Sequence, residues 1–473
     1  MLRAASRISS IARKTPKNIG LRAFPTTPCQ SILLQAPIVQ LQRHARFQST
    51  SAEIKQVDRD LDPSDHRYIG KAQSLFMTHP YSPGSVFMLP HGTRIVHKLQ
   101  EFLRSEYNKF GYQEVMTPLL YKKALWETSG HWQNYMDDMY MVHGGQKGNE
   151  MDEEGLFGLK PMNCPGHCLI FDSTPKSYRD LPIRLADFSP LHRNEASGAL
   201  SGLTRVRRFH QDDAHIFCTK DQILPEISSC LKFVEQVYTA FQFPQYDFTL
   251  STRPKEGYIG SLEEWESAES ALQSALDATG KSWTIKNGDG AFYGPKIDIM
   301  IRDSAGRSHQ TATIQLDFQL PHRFNLRYSD ENDNIQTPVI VHRAILGSIE
   351  RMMAILIEHT GGKWPFWLSP RQGIVIPVAT QFMDYAQEAA KILGGKESNM
   401  PHYYVDADTS PRDRLNKMIR RAQLDQYNYI FVVGQKELDE QTVNVRTRKG
   451  QVLGTMSLDK VRAMFAKDND NKQ

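Results

Sequence analysis

Two stretches of this chain carry residues whose types suit chemistry better than packing. In LKPMNCPGHCLIF, residues 159–171, Cys164 and Cys168 flank His167 across a Pro-Gly break. In RVRRFHQDDAHIF, residues 205–217, alternate positions are Arg205, Arg207, Phe209, Gln211, Asp213 and His215. Successive side chains of a strand point to opposite faces, so these six would share one. Arginines, an aromatic ring, an amide, a carboxylate and an imidazole make a poor packing face and a good floor for a polar pocket. An ordinary solvated strand can carry the same pattern. Cys164 is open to several readings: a metal ligand, a nucleophile, a disulfide partner or core filler.

The preceding stretch LHRNEASG adds Arg193 and Glu195, which join the same floor if the two strands pair across the turn between them. The planar fork of Arg193 suits the adjacent oxygens of a phosphate. In HRAILGSIERMM, residues 342–353, Ser348 and Arg351 are three apart and would share a helix face. Gly347 permits close backbone approach. A second arginine aimed at the pocket would suit a triphosphate. An amphipathic helix whose arginine pairs with a nearby acid is the plainer alternative.

The elements that must position these residues follow from periodicity. Ile95, Leu99, Phe102 and Leu103 predict a helix over 92–110, ended by Gly111, followed by a strand broken at Pro118. Residues 144–155 read as a polar loop, and 185–218 as strand-like around NEASGALSG. Helical spacing returns at 220–242. Residues 287–302 start in a glycine-rich turn and end as a strand, 309–318 and 338–344 are strands, and a helix runs over about 346–359. WPFWLSP, 364–370, marks a boundary. Beyond it strands and helices alternate, which predicts a small α/β domain with a mostly parallel sheet after a larger α+β one. The expected division is 1–50 as a leader, 51–365 and 366–473.

The chain has 473 residues and a net charge of +4, with 23% charged and 40% hydrophobic residues, as soluble globular proteins do. No run of 18 apolar residues predicts a membrane span. The first 52 residues hold no acid, and residues 1–50 hold Arg3, Arg7, Arg13, Lys14, Lys17, Arg22, Arg43 and Arg46. The basicity therefore belongs to the front of the chain and says little about nucleic acid. An arginine- and serine-rich, acid-free start of this kind predicts a mitochondrial transit peptide, and hence the matrix. Five irregularly spaced cysteines make no disulfide framework. Cys168 and Cys218 are expected in the core.

HRNE, RVRRFHQDDAHIF and HRAILGSIERMM resemble motifs 2 and 3 of class II aminoacyl-tRNA synthetases, and GYQEVMTPLLYKKALWETSGHW resembles motif 1. LKPMNCPGH, DDAHIF, GAFYGPK, IQLDF and HRAILGS, in this order, are similar to the threonyl-tRNA synthetases; with the leader, to the mitochondrial form of fungi. The resemblance spans about 70 to 465. It implies an antiparallel-sheet catalytic domain followed by an α/β anticodon-binding domain, and a homodimer formed through motif 1.

For the site, the resemblance implies a catalytic Zn²⁺ on Cys164, His215 and His342, three ligands with a fourth position open. His167, in a local C-x-x-H pair with Cys164, is set aside. Threonine would reach the metal through its amino and hydroxyl groups, with Gln211, Asp213, Tyr293 and Gln315 around it. ATP with Mg²⁺ would lie on Arg193, Glu195, Arg205, Phe209, Gln310, Thr313, Ser348 and Arg351. Arg193 would hold the α-phosphate, Arg205 and Arg351 the γ-phosphate, Phe209 would stack under adenine, Glu195 would read the base, and Lys296 would neutralise charge at the α-phosphate. Thr313 and Gln315 share strand parity; Gln310 does not, and needs a bulge to join them. The implied activity is threonine–tRNA ligation: threonyl-adenylate formation, then transfer to mitochondrial tRNA(Thr). Glu437 and Arg446 match anticodon-reading positions, while Asp413 stands where the family has asparagine. No N-terminal domain hydrolysing seryl-tRNA fits before the core, so serine activation is expected. The rivals are a seryl or prolyl synthetase, which the Cys/His/His set disfavours, and an inactive RNA-binding relative.

Overall fold

The structure is a computed structural model that describes residues 61–143, 155–243, 245–302, 306–395, 401–409 and 413–472. The expected leader, Cys29 and all of the expected polar loop except Gly155 lie outside the described residues.

The larger part is built on a nine-stranded sheet. Its strands are β1 (Gln113–Glu114), β2 (Ile183–Asp187), β3 (Pro190–His192), β4 (Arg208–Cys218), β5 (Tyr246–Ser251), β6 (Trp283–Lys286), β7 (Lys296–Arg302), β8 (Ser308–Asp317) and β9 (Val339–Ser348). Their order across the sheet is β6-β5-β7-β8-β9-β4-β2-β1, with β3 paired to β4. All pairings are antiparallel except the two outermost, β5 with β6 and β1 with β2.

One face of this sheet is apolar except for the buried Arg343, which stands between Ile314 and Ala214, and its partner Asp212. Ile297, Ile314, Ala214 and Ala186 lie in one cross-strand row and are fully buried. They pack in a core shared with helices α1 (Pro90–Phe110), α3 (Ile223–Ala240), α4 (Leu262–Asp277) and α5 (Ile349–Thr360), α2 being Cys164–Asp172. Helix α1 starts at Pro90, whose fixed φ suits a first helical position. It ends at Gly111, where φ is +71° and only glycine is unstrained. Its predicted Ile95, Leu99, Phe102 and Leu103 are all buried. Helix α4 and strand β5 are elements that the periodicity analysis left unassigned. A capping box between Ser261 and Glu264 marks the start of α4.

Two expected boundaries move. Strand β4 begins at Arg208, not at Arg205, because residues 201–206 form a loop closed by backbone bonds between Ser201 and Arg205. Strand β9 stays extended through Ser348, so α5 starts at Ile349, not at about 346. Ser348 therefore does not share a helix face with Arg351. It caps the helix, its Oγ accepting the Arg351 backbone N–H at 3.0 Å.

Residues beyond 372 form a second sheet ordered β11-β10-β12-β13-β14. These strands are β10 (Gly373–Pro377), β11 (Val405–Ala407), β12 (Tyr429–Val433), β13 (Thr442–Thr447) and β14 (Val452–Ser457). The first three are parallel, the last two antiparallel, so half of the pairings depart from the parallel expectation. The short helix Gln435–Glu440 and β14 close antiparallel connections that need no crossover helix. The sheet has its own apolar clusters on two faces. Across the junction Arg94 donates to the Pro370 carbonyl at 2.8 Å and lies 4.5 Å from the Tyr404 ring centre.

Candidate active site and metal centre

The polar face of the large sheet is laid out by its register. Lys296, Gln315, His342 and His215 stand opposite one another on β7, β8, β9 and β4. One step along, Asp298, Thr313, Ala344 and Asp213 form a parallel row on the same face. The residues named from four separate segments thus become neighbours through strand pairing.

Between Asp298 and Met300 on β7, strand β8 carries one extra residue between Thr313 and Gln310. This is the bulge that Gln310 needed to turn to the polar face. Gln310 Nε2 and Thr313 Oγ1 both donate to Asp298 Oδ1, at 2.7 and 3.2 Å. Asp298 Oδ2 lies 2.8 Å from Lys296 Nζ. Gly347, at φ +73°, sits where a Cβ would come within 2.7 Å of the Thr311 carbonyl.

Two adjoining cavities open on this face. The larger, about 640 Å³, is lined by Arg193, Glu195, Arg205, Phe209, Gln211, Lys296, Gln310, Thr313, Gln315, Ser348 and Arg351, among others. The smaller, about 120 Å³, is lined by Cys164, Asp213, His215, Tyr293 and His342, with Arg193, Gln211, Thr313 and Gln315 shared. Every candidate residue outside the C-terminal sheet therefore reaches one or both. Arg207 does not: with β4 starting after it, the alternation ends, and its guanidinium donates to Glu195 O, Pro83 O and Ser197 Oγ.

The large cavity is cationic. Burial and the positive charge of Arg205 press the Arg351 guanidinium below its usual range, and its Nε has no hydrogen-bond partner. Arg205 pairs with Glu195 at 2.8 Å. The Arg193 guanidinium lies 5.0 Å from the centre of the Phe209 ring, and Phe209 is largely buried with Leu191 and Val206. A base stacking there needs the part of the ring that Arg193 leaves open.

The small cavity holds a metal-ligand set. The donor atoms of Cys164, His215 and His342 all lie within 4.8 Å of one another, and the three residues are buried. His342 Nε2 donates to Asp317 Oδ2 at 2.9 Å, which leaves Nδ1 for a metal. Asp317 is itself fixed, accepting the Gln319 and Leu320 backbone N–H groups. His215 Nδ1 lies 2.7 Å from His167 Nδ1, which leaves Nε2. Burial pushes the His215 imidazole well down, towards the form a ligand needs, and the Cys164 thiol well up, away from the thiolate that a bound cation would have to stabilise. One thiol and two oriented imidazoles, with no fourth member of the cluster among the described residues, fit a zinc ion with an open position. Asp213, 7% exposed, accepts from Asn163 Nδ2 at 3.2 Å, and the Tyr293 hydroxyl donates to Gln315 Oε1.

Asn163, Asp298, Asp317 and Asp187 escaped the sequence reading. Asp298 could have been found, two residues after Lys296 on a strand; the others are set by tertiary contacts alone. His167, set aside as a ligand by the sequence, lies with its Nδ1 against that of His215. Cys168 and Cys218 are fully buried in apolar clusters. In the C-terminal sheet, Glu437 Oε2 accepts from Gly434 N at 3.0 Å, Arg446 Nε donates weakly to Asn444 Oδ1, and Asp413 Oδ1 accepts from Lys417 at 2.7 Å.

Comparison with known proteins gives the arrangement a family. Residues 146–360 match the tRNA synthetase class II core domain (G, H, P, S and T), and residues 372–468 match the anticodon binding domain. Human cytoplasmic threonine–tRNA ligase 1 is 55% identical over 395 residues, covering 83% of this chain and 53% of the relative. The cytoplasmic threonine–tRNA ligase of Saccharomyces cerevisiae is 54% identical over 387 residues, 81% of this chain and 50% of the relative. The chain thus spans about half the length of the curated relatives it matches. The crystal structure of the RNA binding domain of threonyl-tRNA synthetase from Cryptosporidium parvum superposes with a TM-score of 0.80 at 48% identity, covering 85% of this chain and 98% of that one. A putative threonyl-tRNA synthetase from Aeropyrum pernix gives 0.72 at 28% identity, covering 86% and 96%. With the sheet, the two cavities and both family matches in agreement, the chain belongs to the threonyl-tRNA synthetases of class II.

Proposed function

We propose that the protein is a threonine–tRNA ligase that activates L-threonine with ATP and transfers it to tRNA(Thr). The observation that carries this reading is the pair of adjoining cavities: a cationic one sized for a nucleotide, joined to a small one lined by Cys164, Asp213, His215 and His342.

ATP, with Mg²⁺, occupies the larger cavity. Arg193 holds the α-phosphate in two hydrogen bonds, and Arg205 and Arg351 face the γ-phosphate. Lys296 offsets the charge that develops at the α-phosphorus as the threonine carboxylate attacks. Glu195 reads the adenine, Phe209 supports it, Ser348 holds the start of α5 in place, and Gln310 and Thr313 line the ribose side. Catalysis is positioning and charge stabilisation, without a protein nucleophile. Gln211, Asp213, Tyr293 and Gln315 surround threonine, Asp213 accepting a hydrogen bond from its hydroxyl. Cys164, His215 and His342 would hold a zinc ion, which would supply Lewis-acid binding of the amino and hydroxyl groups of threonine.

Residues 51–365 form the aminoacylation domain and 366–473 the anticodon-binding domain in this reading, with Glu437 and Arg446 meeting anticodon bases. The protein acts as a homodimer in the mitochondrial matrix on mitochondrial tRNA(Thr). Support for the matrix comes from the basic, acid-free start of the chain, although the relatives named above are cytoplasmic.

The experiment is ATP–pyrophosphate exchange with threonine, serine and valine, before and after chelation. Exchange that depends on threonine and is lost with the metal is expected. No exchange from folded, zinc-loaded protein would replace this reading with an RNA-binding one. Fractionation of cells expressing the tagged chain tests the matrix assignment separately.

A further inference from the structure

His167 follows Cys164 by three residues on the same short helix, α2, and is completely buried. It stands between His215, a candidate metal ligand, and Asp187, which the proposed chemistry does not use. Its Nδ1 is 2.7 Å from His215 Nδ1. Its Nε2 has no hydrogen-bond partner, and Asp187 Oδ2 lies 3.8 Å from it. Asp187 in turn accepts from Thr117 Oγ1 at 2.6 Å and from Ser189 N at 2.6 Å, and lies 3.6 Å from the buried ammonium of Lys160.

Two imidazole nitrogens at hydrogen-bond distance must be one donor and one acceptor. A neutral His215 that keeps Nε2 for a metal carries its proton on Nδ1, so it is the donor. His167 must then accept at Nδ1 and carry its own proton on Nε2, the atom directed at Asp187. The opposite assignment would place a proton on His215 Nε2 and close it to a metal.

We propose that His167 is a positioning residue for the metal centre: it accepts the His215 Nδ1 proton, fixes His215 as an Nε2 ligand, and is itself oriented by Asp187. This inference rests on the proposed metal site. It makes the two histidine ligands unequal. His342 hydrogen-bonds a carboxylate directly, at Asp317. His215 reaches Asp187 only through a neutral ring, and the charge of Asp187 is already met by Lys160. Outer partners of metal-bound histidines typically alter metal affinity by about 10–100-fold when removed.

The test compares wild type with His167→Leu, which removes the acceptor, and His167→Asn, whose Oδ1 stands two bonds from Cβ as Nδ1 does and can still accept from His215. Zinc affinity is measured by chelator competition, and the visible spectrum is recorded after cobalt substitution. About 10–100-fold weaker binding and an altered cobalt band are expected for the leucine variant. The asparagine variant should retain near wild-type values, with any activity loss seen in KM for threonine before kcat. Wild-type affinity in the leucine variant, or equal loss in both variants while both remain folded, would overturn the proposal. If the leucine variant does not fold, ¹⁵N NMR of labelled imidazoles in the zinc-loaded wild type decides. Nδ1–H on His215 with Nε2–H on His167 is required, and the reverse pair sinks the idea. A wild type that binds no zinc would overturn the metal site itself, a result distinct from all the others.

Discussion

Arg343 Nη1 donates to both the carbonyl and the carboxylate of Asp212, at 2.8 and 3.2 Å, behind the sheet from the metal-ligand cluster. Each partner is the chain neighbour of a site residue: Arg343 follows His342, and Asp212 precedes Asp213. Asp212 also accepts the Ile345 and Leu346 backbone N–H groups. The guanidinium lies 4.3 Å from the Tyr112 ring centre and 4.9 Å from that of Tyr107. This pair pins β4 to β9 at the one place where His215 and His342 must stand opposite each other.

Breaking a buried pair leaves an uncompensated charge and typically costs about 3–5 kcal/mol. Arg343→Met and Asp212→Ala are therefore expected to destabilise the protein by about that amount in urea unfolding, and to weaken zinc retention as well. The double variant Asp212→Ala/Arg343→Met should lose less stability than the two single changes summed. Simple additivity would mean that the pair is not acting as a unit.

Arg351 enters the large cavity with one buried nitrogen unpartnered. A group desolvated without compensation is costly until an anion meets it, so ATP should complete its environment. Arg351→Ala is expected to reduce ATP–pyrophosphate exchange by about 100–1,000-fold, the usual consequence of removing one donor to developing charge. Arg351→Lys should recover little, because an ammonium does not reproduce the fork. The check is exchange kinetics at saturating threonine, with thermal unfolding unchanged; a fall of less than about tenfold for the alanine variant counts against a phosphate role.

Much of this site was legible because strand alternation is a strict rule. Phe209, Gln211, Asp213 and His215 fall on one face of β4 as their spacing requires. The failures lie where alternation stops. Arg207 was misplaced because no local signal marks the start of β4, and Arg205 reaches the cavity from a loop instead. Ser348 became a cap because β9 runs on past Gly347. Gln310 could be placed only conditionally, since a bulge is a property of two strands and not of one. Asp317, behind His342, lies within IQLDF but nothing in that stretch points it at His342, and Asp187, beside His167, is brought there only by the pairing of β2 with β4.

A pH-dependent contribution is expected beside the loop that lines the larger cavity. His66 donates to Glu358 from its backbone N–H at 3.0 Å and from ring Nδ1 at 2.7 Å, while its Nε2 accepts from Leu203 N. It thereby ties α5 to the 201–206 loop that bears Arg205. Burial pushes the Glu358 carboxyl up, but the His66 hydrogen bonds and Arg307 outweigh it and hold the group below its ordinary value. A carboxylate with a depressed folded-state pKa gives stability above its unfolded value of about 4.3, and loses it as pH falls through the folded one. Urea unfolding of wild type and Glu358→Gln should therefore differ at pH 7 and converge as the pH is lowered below about 4. A gap that stays constant over that range would show that Glu358 acts by packing alone.

The small cavity makes opposite predictions for two near-isosteres of threonine. Valine matches threonine in shape but would leave Asp213 and the metal position without a hydroxyl. Sites built to hydrogen-bond a substrate group reject the analogue lacking it by about 10⁴–10⁵. Serine keeps the hydroxyl and lacks one methyl, which is worth only about 10–200-fold. Exchange should therefore be close to undetectable with valine and readily measured with serine. Asp213→Ala should narrow the gap between threonine and valine far more than that between threonine and serine, because only the first gap depends on recognising the hydroxyl. Chelation should remove threonine-dependent exchange, and zinc, or cobalt in its place, should restore it. Discrimination against valine that survives in Asp213→Ala would assign the hydroxyl contact to the Cys164, His215 and His342 site instead, and loss of all discrimination in that variant would assign it to Asp213.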